Sequence, residues 1–522
     1  MSQSTQNGLF SLPLCYFLKR HSLFNRNKLA IIDGIYGTTV TYGELHDRVA
    51  SIAKWLAQNG IGYGDRVACL ALNGKSLMEF LLALSWLGAV AVPLNIRLNP
   101  KELSYIIKDS GAKAMFSCAF MLENAEAAMT EISGIEFRII DAESREGWIP
   151  FEKLTSDESN FIEMEKGVSG ETLCTLIYTS GTTGKPKGCM IPQRVWTGYA
   201  INMSTCFQMG YDDTYLGFLP YFHIAGFGTA FAQLVLGGTV VTSPMPDPAV
   251  MYDLIAKYKV TVVFLVPPIS SAMAYHEARG KCDVSSLKVF ISGAGAEKVD
   301  LVNQVEENIG AKYFGIYGQT EAGGKVTWVD GDMIREDPTS YGYIMPFFDY
   351  RILDIHDKEV APGEVGELCL RGQMVMQGYW NLPAATADAF KSNWHHTGDL
   401  FKLMDNGQVK MVDRSKYLIK TGGENVYPQE VEQVLLSHGA ISEAAVIGVV
   451  DDEWGEIVKA FIILADGMTL SRQEISEWVG QSIAGYKKPR IIEFLDAIPR
   501  NVSGKVLKNE LALLATTADQ KV

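Results

Sequence analysis

Short runs of β-branched and apolar residues alternate along this chain with stretches whose apolar positions recur every three or four residues. Ala30-Ile31-Ile32, Arg66-Val67-Ala68-Cys69-Leu70 and Thr261-Val262-Val263-Phe264-Leu265-Val266 predict strands, whereas Tyr42 to Gln58 predicts a helix. Such alternation predicts an α/β fold of layered, mostly parallel sheets, because parallel strands need crossover connections that helices supply. The most apolar long segment, Phe80 to Val92, falls short of the roughly 20 residues that cross a bilayer and is followed by Pro93, so it predicts a buried helix and strand. No repeat of fixed period and no low-complexity tract interrupts the pattern.

A chain of 522 residues exceeds one ordinary core, and about 150 residues per domain predicts two to four units. The expected boundary follows the strand-like Val409-Lys410-Met411-Val412, at Asp413-Arg414-Ser415-Lys416. That division gives a large N-terminal domain (1–413), a hinge (414–416) and a small, mobile C-terminal α/β domain (417–522). Linkers are normally bland, so a boundary inside a charged segment reads as a working hinge.

A net charge of −14 and a pI near 5.2 exclude nonspecific nucleic-acid binding, which needs clustered Lys and Arg. Any anionic ligand must be held by a local site. The eight cysteines are scattered with no CxxC pair, which suggests neither a zinc site nor a disulfide framework and makes a cytoplasmic location the simplest expectation. Leu9 to Leu18 is apolar but has no basic residue before it and no small-residue cleavage site, so no signal peptide is expected. Asp519-Gln520-Lys521-Val522 is not the Ser-Lys-Leu peroxisomal address.

The strongest local signal is Tyr178-Thr179-Ser180-Gly181-Thr182-Thr183-Gly184-Lys185-Pro186-Lys187-Gly188, after the strand-like Leu173 to Tyr178. Glycines let backbone N–H groups approach an anion, hydroxyls donate hydrogen bonds and lysines neutralise charge, which together describe a phosphate cradle. It is not the Walker P-loop, because Pro186 and Thr179 stand where that motif needs Ser or Thr and Gly. No Gly-x-Ser-x-Gly elbow occurs anywhere, which removes the commonest α/β hydrolase.

This loop resembles the signature of the adenylate-forming superfamily, which includes acyl-CoA synthetases, the adenylation domains of peptide synthetases and firefly luciferase. The resemblance continues in family order through Tyr317-Gly318-Gln319-Thr320-Glu321, Thr397-Gly398-Asp399, Asp413-Arg414-Ser415-Lys416, Gly422-Gly423-Glu424-Asn425 and Pro499-Arg500-Asn501-Val502-Ser503-Gly504-Lys505. Thr41-Tyr42-Gly43-Glu44-Leu45 matches the family's opening helix, so the likeness spans nearly the whole chain.

The resemblance implies an AMP-forming ligase that uses ATP and magnesium, with coenzyme A as acceptor. It implies ATP contacts at Thr179, Ser180, Gly181, Thr182, Thr183, Lys187, Gly295, Tyr317, Gly318, Gln319, Thr320, Asp399, Arg414 and Lys505. Tyr317 offers a face for adenine, Thr320 a hydroxyl for the α-phosphate, and Glu321 a hard oxygen for magnesium. On the residues alone Tyr317 could also be a core tyrosine, Asp399 an Asx turn, and Lys505 would read as a solvated loop lysine. In the family, the lysine matching Lys505 stabilises charge during adenylation. Lys416 matches the hinge, and Lys420, Gly422 and Gly423 match the pantetheine tunnel. Tyr417 and Tyr341-Gly342-Tyr343 depart from the usual pattern.

Pro220-Tyr221-Phe222-His223-Ile224-Ala225-Gly226 resembles the segment that gates the acyl pocket, placing Tyr221 and His223 there; His223 could also be a satisfied core histidine. Catalytic roles are expected for Lys505, Thr320, Glu321 and His223. Val266, Pro268, Gly293, Ala294 and Gly323 are the expected walls, small and uncharged, which suits a medium or long fatty acid or a bulky aryl or steroid side-chain acid. No Asp lies between Gly217 and Gly237 to pair a substrate amine, which disfavours amino acids. No Leu-Gly-Gly-x-Ser carrier motif follows the small domain, so free coenzyme A leads over a separate acyl carrier protein; a homodimer stays open.

Overall fold

The computed structural model describes residues 12–155, 163–164, 166–179, 185–267, 269–293, 299–414, 417–421, 424–451, 454–500 and 506–514. The chain divides into two compact units, Met1–Tyr350 with Leu370–His395, and Arg351–Cys369 with His396–Val522. Each crossing falls inside a strand: Phe348–Leu353, Gly366–Gly372 and Trp394–Leu403.

The first unit is built on two sheets. A nine-stranded sheet runs Tyr343–Ile344, Thr327–Asp330, Lys312–Tyr317, Val289–Gly293, Val262–Phe264, Thr214–Gly217, Thr239–Thr242, Leu29–Asp33, Thr39–Thr41, parallel in its middle and antiparallel at both edges. A seven-stranded sheet runs Ile149–Pro150, Phe137–Asp141, Ala114–Cys118, Arg66–Leu70, Val90–Pro93, Leu173–Thr179, Lys187–Pro192, with only the last pair antiparallel. Helix Lys75–Leu87 is buried along its length and touches strands of both sheets, so Phe80 to Val92 is indeed a buried helix followed by a strand. Helices Gln193–Phe207 and Ile224–Val235 pack on each other, the former against the seven-stranded sheet and the latter against the nine-stranded one. Every residue of Ile224–Val235 is buried, as expected of a helix apolar all round.

Helix Tyr42–Gln58 begins where the sequence places it because Thr41 and Glu44 form a reciprocal capping box. The expected strand Thr261 to Val266 is shorter, Val262–Phe264. Pro267 and Pro268 supply no N–H for a ladder, and the Val266 carbonyl instead accepts from Ile269 at 2.8 Å, opening helix Ile269–Tyr275.

In the second unit, Glu424–Val426, Ile419–Thr421, Gly455–Leu464 and Ile441–Asp451 form an antiparallel run, joined in parallel by Ile491–Phe494. Alternation sorts its two faces. Val446, Val458 and Ile462 pack with Val431, Leu435, Ile475 and Val479 of two helices, while Ala445, Ile447 and Phe461 meet Leu511.

All eight cysteines are free thiols, six of them buried and Cys118 and Cys282 half-buried. Burial pushes the Cys15 and Cys206 thiols up to about 12. Among the described residues, no helix is long and apolar enough to cross a membrane.

Candidate active site

The strands on either side of the signature loop pair as a hairpin. Strands Leu173–Thr179 and Lys187–Pro192 set Thr179 opposite Lys187 and Tyr178 opposite Gly188. Tyr178 is a fastener: its hydroxyl donates to Asp109 Oδ2 at 2.6 Å, and burial together with that carboxylate holds its pKa above the ordinary value. Ser180, Gly181, Thr182 and Thr183 lie outside the described residues.

The free edge of Lys187–Pro192 is capped by a distant segment. Gln377 N donates to Met190 O at 2.9 Å, Met190 N to Gly378 O at 2.9 Å, and Trp380 N to Gly188 O at 2.8 Å. Gly378 adopts φ +142°, and a Cβ there would meet Thr386 Cγ2 at 2.6 Å, so glycine is required. Tyr379 is thereby set beneath Lys187, whose Nζ lies 5.1 Å from its ring centroid. Its hydroxyl donates to Glu321 Oε1 at 2.9 Å, and burial and the nearby Glu321 charge hold the phenol well above its usual pKa. Met376 N fixes the Glu321 carbonyl at 2.9 Å. Hairpin, capping segment and Glu321 therefore form one hydrogen-bonded assembly.

Strand Lys312–Tyr317 delivers the second motif, which turns through the short 3₁₀ segment Thr320–Ala322. The loop closes tightly: Gly324 N donates to Gln319 O at 2.9 Å and Val326 N to Tyr317 O at 2.8 Å. A Cβ on Gly318 would come within 2.1 Å of Gly324 O, so the loop can exist only with glycine there. Tyr317 is 7% exposed and meets Tyr341 edge-on at 6.1 Å. Gln319 Nε2 donates to the Tyr317 hydroxyl at 3.3 Å, and Thr320 is buried.

Of the residues expected to line the acyl pocket, Gly293 lies opposite Ile316 in the parallel sheet, and Gly323, with Gly324 after it, turns at φ +70° and +94° against Met374 and Ile224. Tyr221 is fully buried, its hydroxyl 3.4 Å from Met78 Sδ and its N–H on Asn73 Oδ1 at 3.0 Å. His223 caps helix Ile224–Val235, its Nδ1 accepting from Ala225 N at 3.2 Å. The residue is exposed, yet the surrounding protein desolvates the ring and lowers its pKa. Val266 is half-buried; Pro268, Ala294 and Gly295 lie outside the described residues.

In the second unit, Asp399 is the register partner of Arg414 on neighbouring antiparallel strands. The Thr397-Gly398-Asp399 turn is held by Glu367: Oε1 accepts from Gly398 N at 2.7 Å, and Oε2 lies 2.8 Å from His396 Nδ1. Cys369 Sγ stands 3.5 Å from the same nitrogen. No linear motif discloses this cluster, because its members come from two strands. Asp413 is buried and caps helix Pro428–Leu436 by accepting from Gln429 N at 2.7 Å. Lys420 is exposed, and Lys416, Gly422, Gly423 and Lys505 lie outside the described residues.

Sequence reasoning missed Tyr379 and Trp380. Their only linear signal is a glycine directly before two adjacent aromatics, Gly378-Tyr379-Trp380.

This fold, with a phosphate-type hairpin joined to the Tyr317–Glu321 turn, defines an adenylate-forming enzyme. The chain belongs to the AMP-binding enzyme family: the model of that family matches residues 18–380, and that of the AMP-binding enzyme C-terminal domain matches residues 430–505. Its class is that of the acid–thiol ligases. A feruloyl-CoA synthase of Amycolatopsis sp is 36% identical, covering 97% of this chain and 98% of its own. A long-chain-fatty-acid–CoA ligase of Mycobacterium tuberculosis is 32% identical, covering 95% and 97%. The o-succinylbenzoate CoA synthetase of Bacillus subtilis, solved with its acyl-adenylate intermediate, superposes with a TM-score of 0.83 at 28% identity, covering 98% of this chain and 99% of that one.

Proposed function

We propose that this enzyme activates a bulky, largely apolar ring acid as its adenylate and transfers the acyl group to free coenzyme A. The observation that carries the reading is the assembly of Lys187, Tyr379 and Glu321 in one network, with the side-chain-free wall Gly323-Gly324 a few residues on. A lysine and a carboxylate are thus held for a polyphosphate and its counterion, and the two glycines let the loop after them pack closely against Met374 and Ile224.

In the first step a carboxylate oxygen attacks the α-phosphorus of ATP and the bond to pyrophosphate breaks. Lys187 and the hairpin hydroxyls offset charge on the leaving group, Tyr317 flanks adenine, and Thr320 donates to the α-phosphate. Glu321 presents the hard oxygen that magnesium takes, so it fits that ion, which when bound would neutralise phosphate charge. By motif, Asp399 takes the ribose hydroxyls with Arg414 beside it, and Lys505 stabilises the adenylation transition state. In the second step the coenzyme A thiol, deprotonated, attacks the mixed anhydride and AMP departs. Movement about residues 414–416, with Lys416 as hinge, separates the two steps, and Lys420, Gly422 and Gly423 line the pantetheine path.

The aryl substrates named by the feruloyl and o-succinylbenzoate relatives support a ring acid. A fatty acid is the second reading, favoured by the mycobacterial relative. Pyrophosphate release with ATP and magnesium, measured across ring and fatty acids with and without coenzyme A, tests both. Ring acids should lead, thioester should form on adding coenzyme A, and Lys505→Ala should cut release by about 10²–10³. Preference for long chains would replace the ring acid with the second reading, and release without thioester would shift the acceptor to a carrier protein.

A further inference from the structure

The AMP-binding fold accounts for the charge of Glu321 but not for that of Lys325, four residues on. Lys325 is 1% exposed. Its ammonium is ringed by Phe264, Tyr199 and Phe207, at 4.3, 4.8 and 5.5 Å from their centroids. It donates to Thr229 Oγ1 at 3.3 Å and Met203 Sδ at 2.9 Å, and the Cys206 thiol lies close enough to favour its charged form. The Thr229 hydroxyl gives its proton to Ala225 O at 2.7 Å, and Tyr199 shares it at 3.0 Å. Another buried lysine, Lys459, has the usual remedy, Glu493 at 2.9 Å. Among the described residues no carboxylate stands within ion-pair distance of Lys325. The Tyr215 hydroxyl is likewise buried, beside the Thr229 hydroxyl. Burying an amine with one hydroxyl and a thioether leaves donor capacity unmet, which is unfavourable unless something else fills it.

The position of this nest indicates what fills it. Lys325 directly follows the wall Gly323-Gly324, and the groups nearest a Cβ on Gly324 are Ile224 and the Tyr199 ring, at 3.1 and 3.5 Å. Thr229 lies on the helix that His223 caps, six residues further along, roughly 9 Å of rise. A single ring on a short arm spans that depth.

We infer that Lys325, with Thr229, Tyr199 and Tyr215, reads the far end of the acid and selects substrates carrying an acceptor oxygen, a carbonyl or phenolic group, opposite the reacting carboxyl. This rests on the acid-activating reading above. The cage rings let the amine be held without a fixed counterion, and burial holds its pKa well below the usual value, so an uncharged acceptor suits it better than a second carboxylate.

Matched acids test this, each pair differing only in the distal oxygen, such as 4-hydroxycinnamate against cinnamate and a keto against a deoxy alicyclic acid. The wild-type enzyme should favour the oxygenated member in kcat/KM by roughly 10- to 100-fold, chiefly through KM, as for a site left unpaired by the poorer substrate. Lys325→Met should bring that ratio to near one without lowering Tm, because removal of an unpaired buried amine relieves the fold. A ratio unchanged in Lys325→Met, or a Tm that falls while the ratio holds, would overturn the proposal and make Lys325 a structural core residue. If the variant does not fold, the wild-type ratio decides, and parity overturns it. Equilibrium binding of the same pairs separates the two readings: discrimination in binding with no pyrophosphate from any acid would sink the ligase assignment and leave the pocket standing.

Discussion

Two charged side chains four residues apart, Glu321 and Lys325, meet opposite treatment. Glu321 is half-buried, with a tyrosine hydroxyl on one oxygen and Lys187 on the far side of that tyrosine. Lys325 is sealed in aromatic rings, with no carboxylate in reach among the described residues. The first is a carboxylate made ready for a highly charged ligand, since polar neighbours fix its direction. The second is a donor kept dry, whose value lies in what it rejects. One tight loop, closed by glycines at 318, 323 and 324, thus serves both ends of the proposed reaction.

The contrast can be broken from either side. Glu321→Gln should lower acid-dependent pyrophosphate release by about 10²–10³, the range for losing one charge-stabilising group, with Tm little changed. If release survives at wild-type rate, Glu321 does not hold the magnesium of the reacting nucleotide. Tyr379→Phe should leave Glu321 Oε1 without its donor and raise the magnesium concentration for half-maximal rate by roughly 10-fold, as for an outer-sphere partner. An unchanged magnesium titration would reduce Tyr379 to a packing residue. Gly324→Ala puts a side chain at φ +94° and 3.1 Å from Ile224; strain of about 1–2 kcal/mol should appear as a lower Tm.

The smallest expected effect belongs to His223. Its folded pKa is lowered by desolvation, so the unfolded chain binds more protons as pH falls below about 6.5 and stability is lost there. His223→Asn keeps a good cap, and its unfolding midpoint should depend less on pH between 5 and 7. Equal slopes for both proteins would remove His223 from the pH response.

Legibility followed locality. Helix Tyr42–Gln58 could be bounded from sequence because its cap is three residues wide, and the Tyr317–Glu321 turn because its glycines and polar groups act within one loop. The apolar run Thr261 to Val266 is longer than the strand within it, since hydropathy alone does not mark where pairing stops ahead of Pro267 and Pro268. Tyr379 was illegible because it reaches Glu321 by adding a strand edge from 58 residues away. Lys325 was passed over for a related reason: in sequence it is an ordinary lysine after two glycines, and only the packing of two helices and a sheet around it makes it unusual.

The free cysteines offer an experimental opening. Seven of the eight lie in the first unit, and the second holds Cys369 alone, itself buried. The thiols that burial keeps protonated are poor nucleophiles toward maleimides, which react with thiolate. With the half-buried Cys118 and Cys282 replaced by serine, a cysteine introduced on the exposed face of helix Arg472–Ser482 would therefore carry a fluorophore against a nearly silent background of buried thiols. The second unit could then be watched through a catalytic cycle in a chain altered at only those positions.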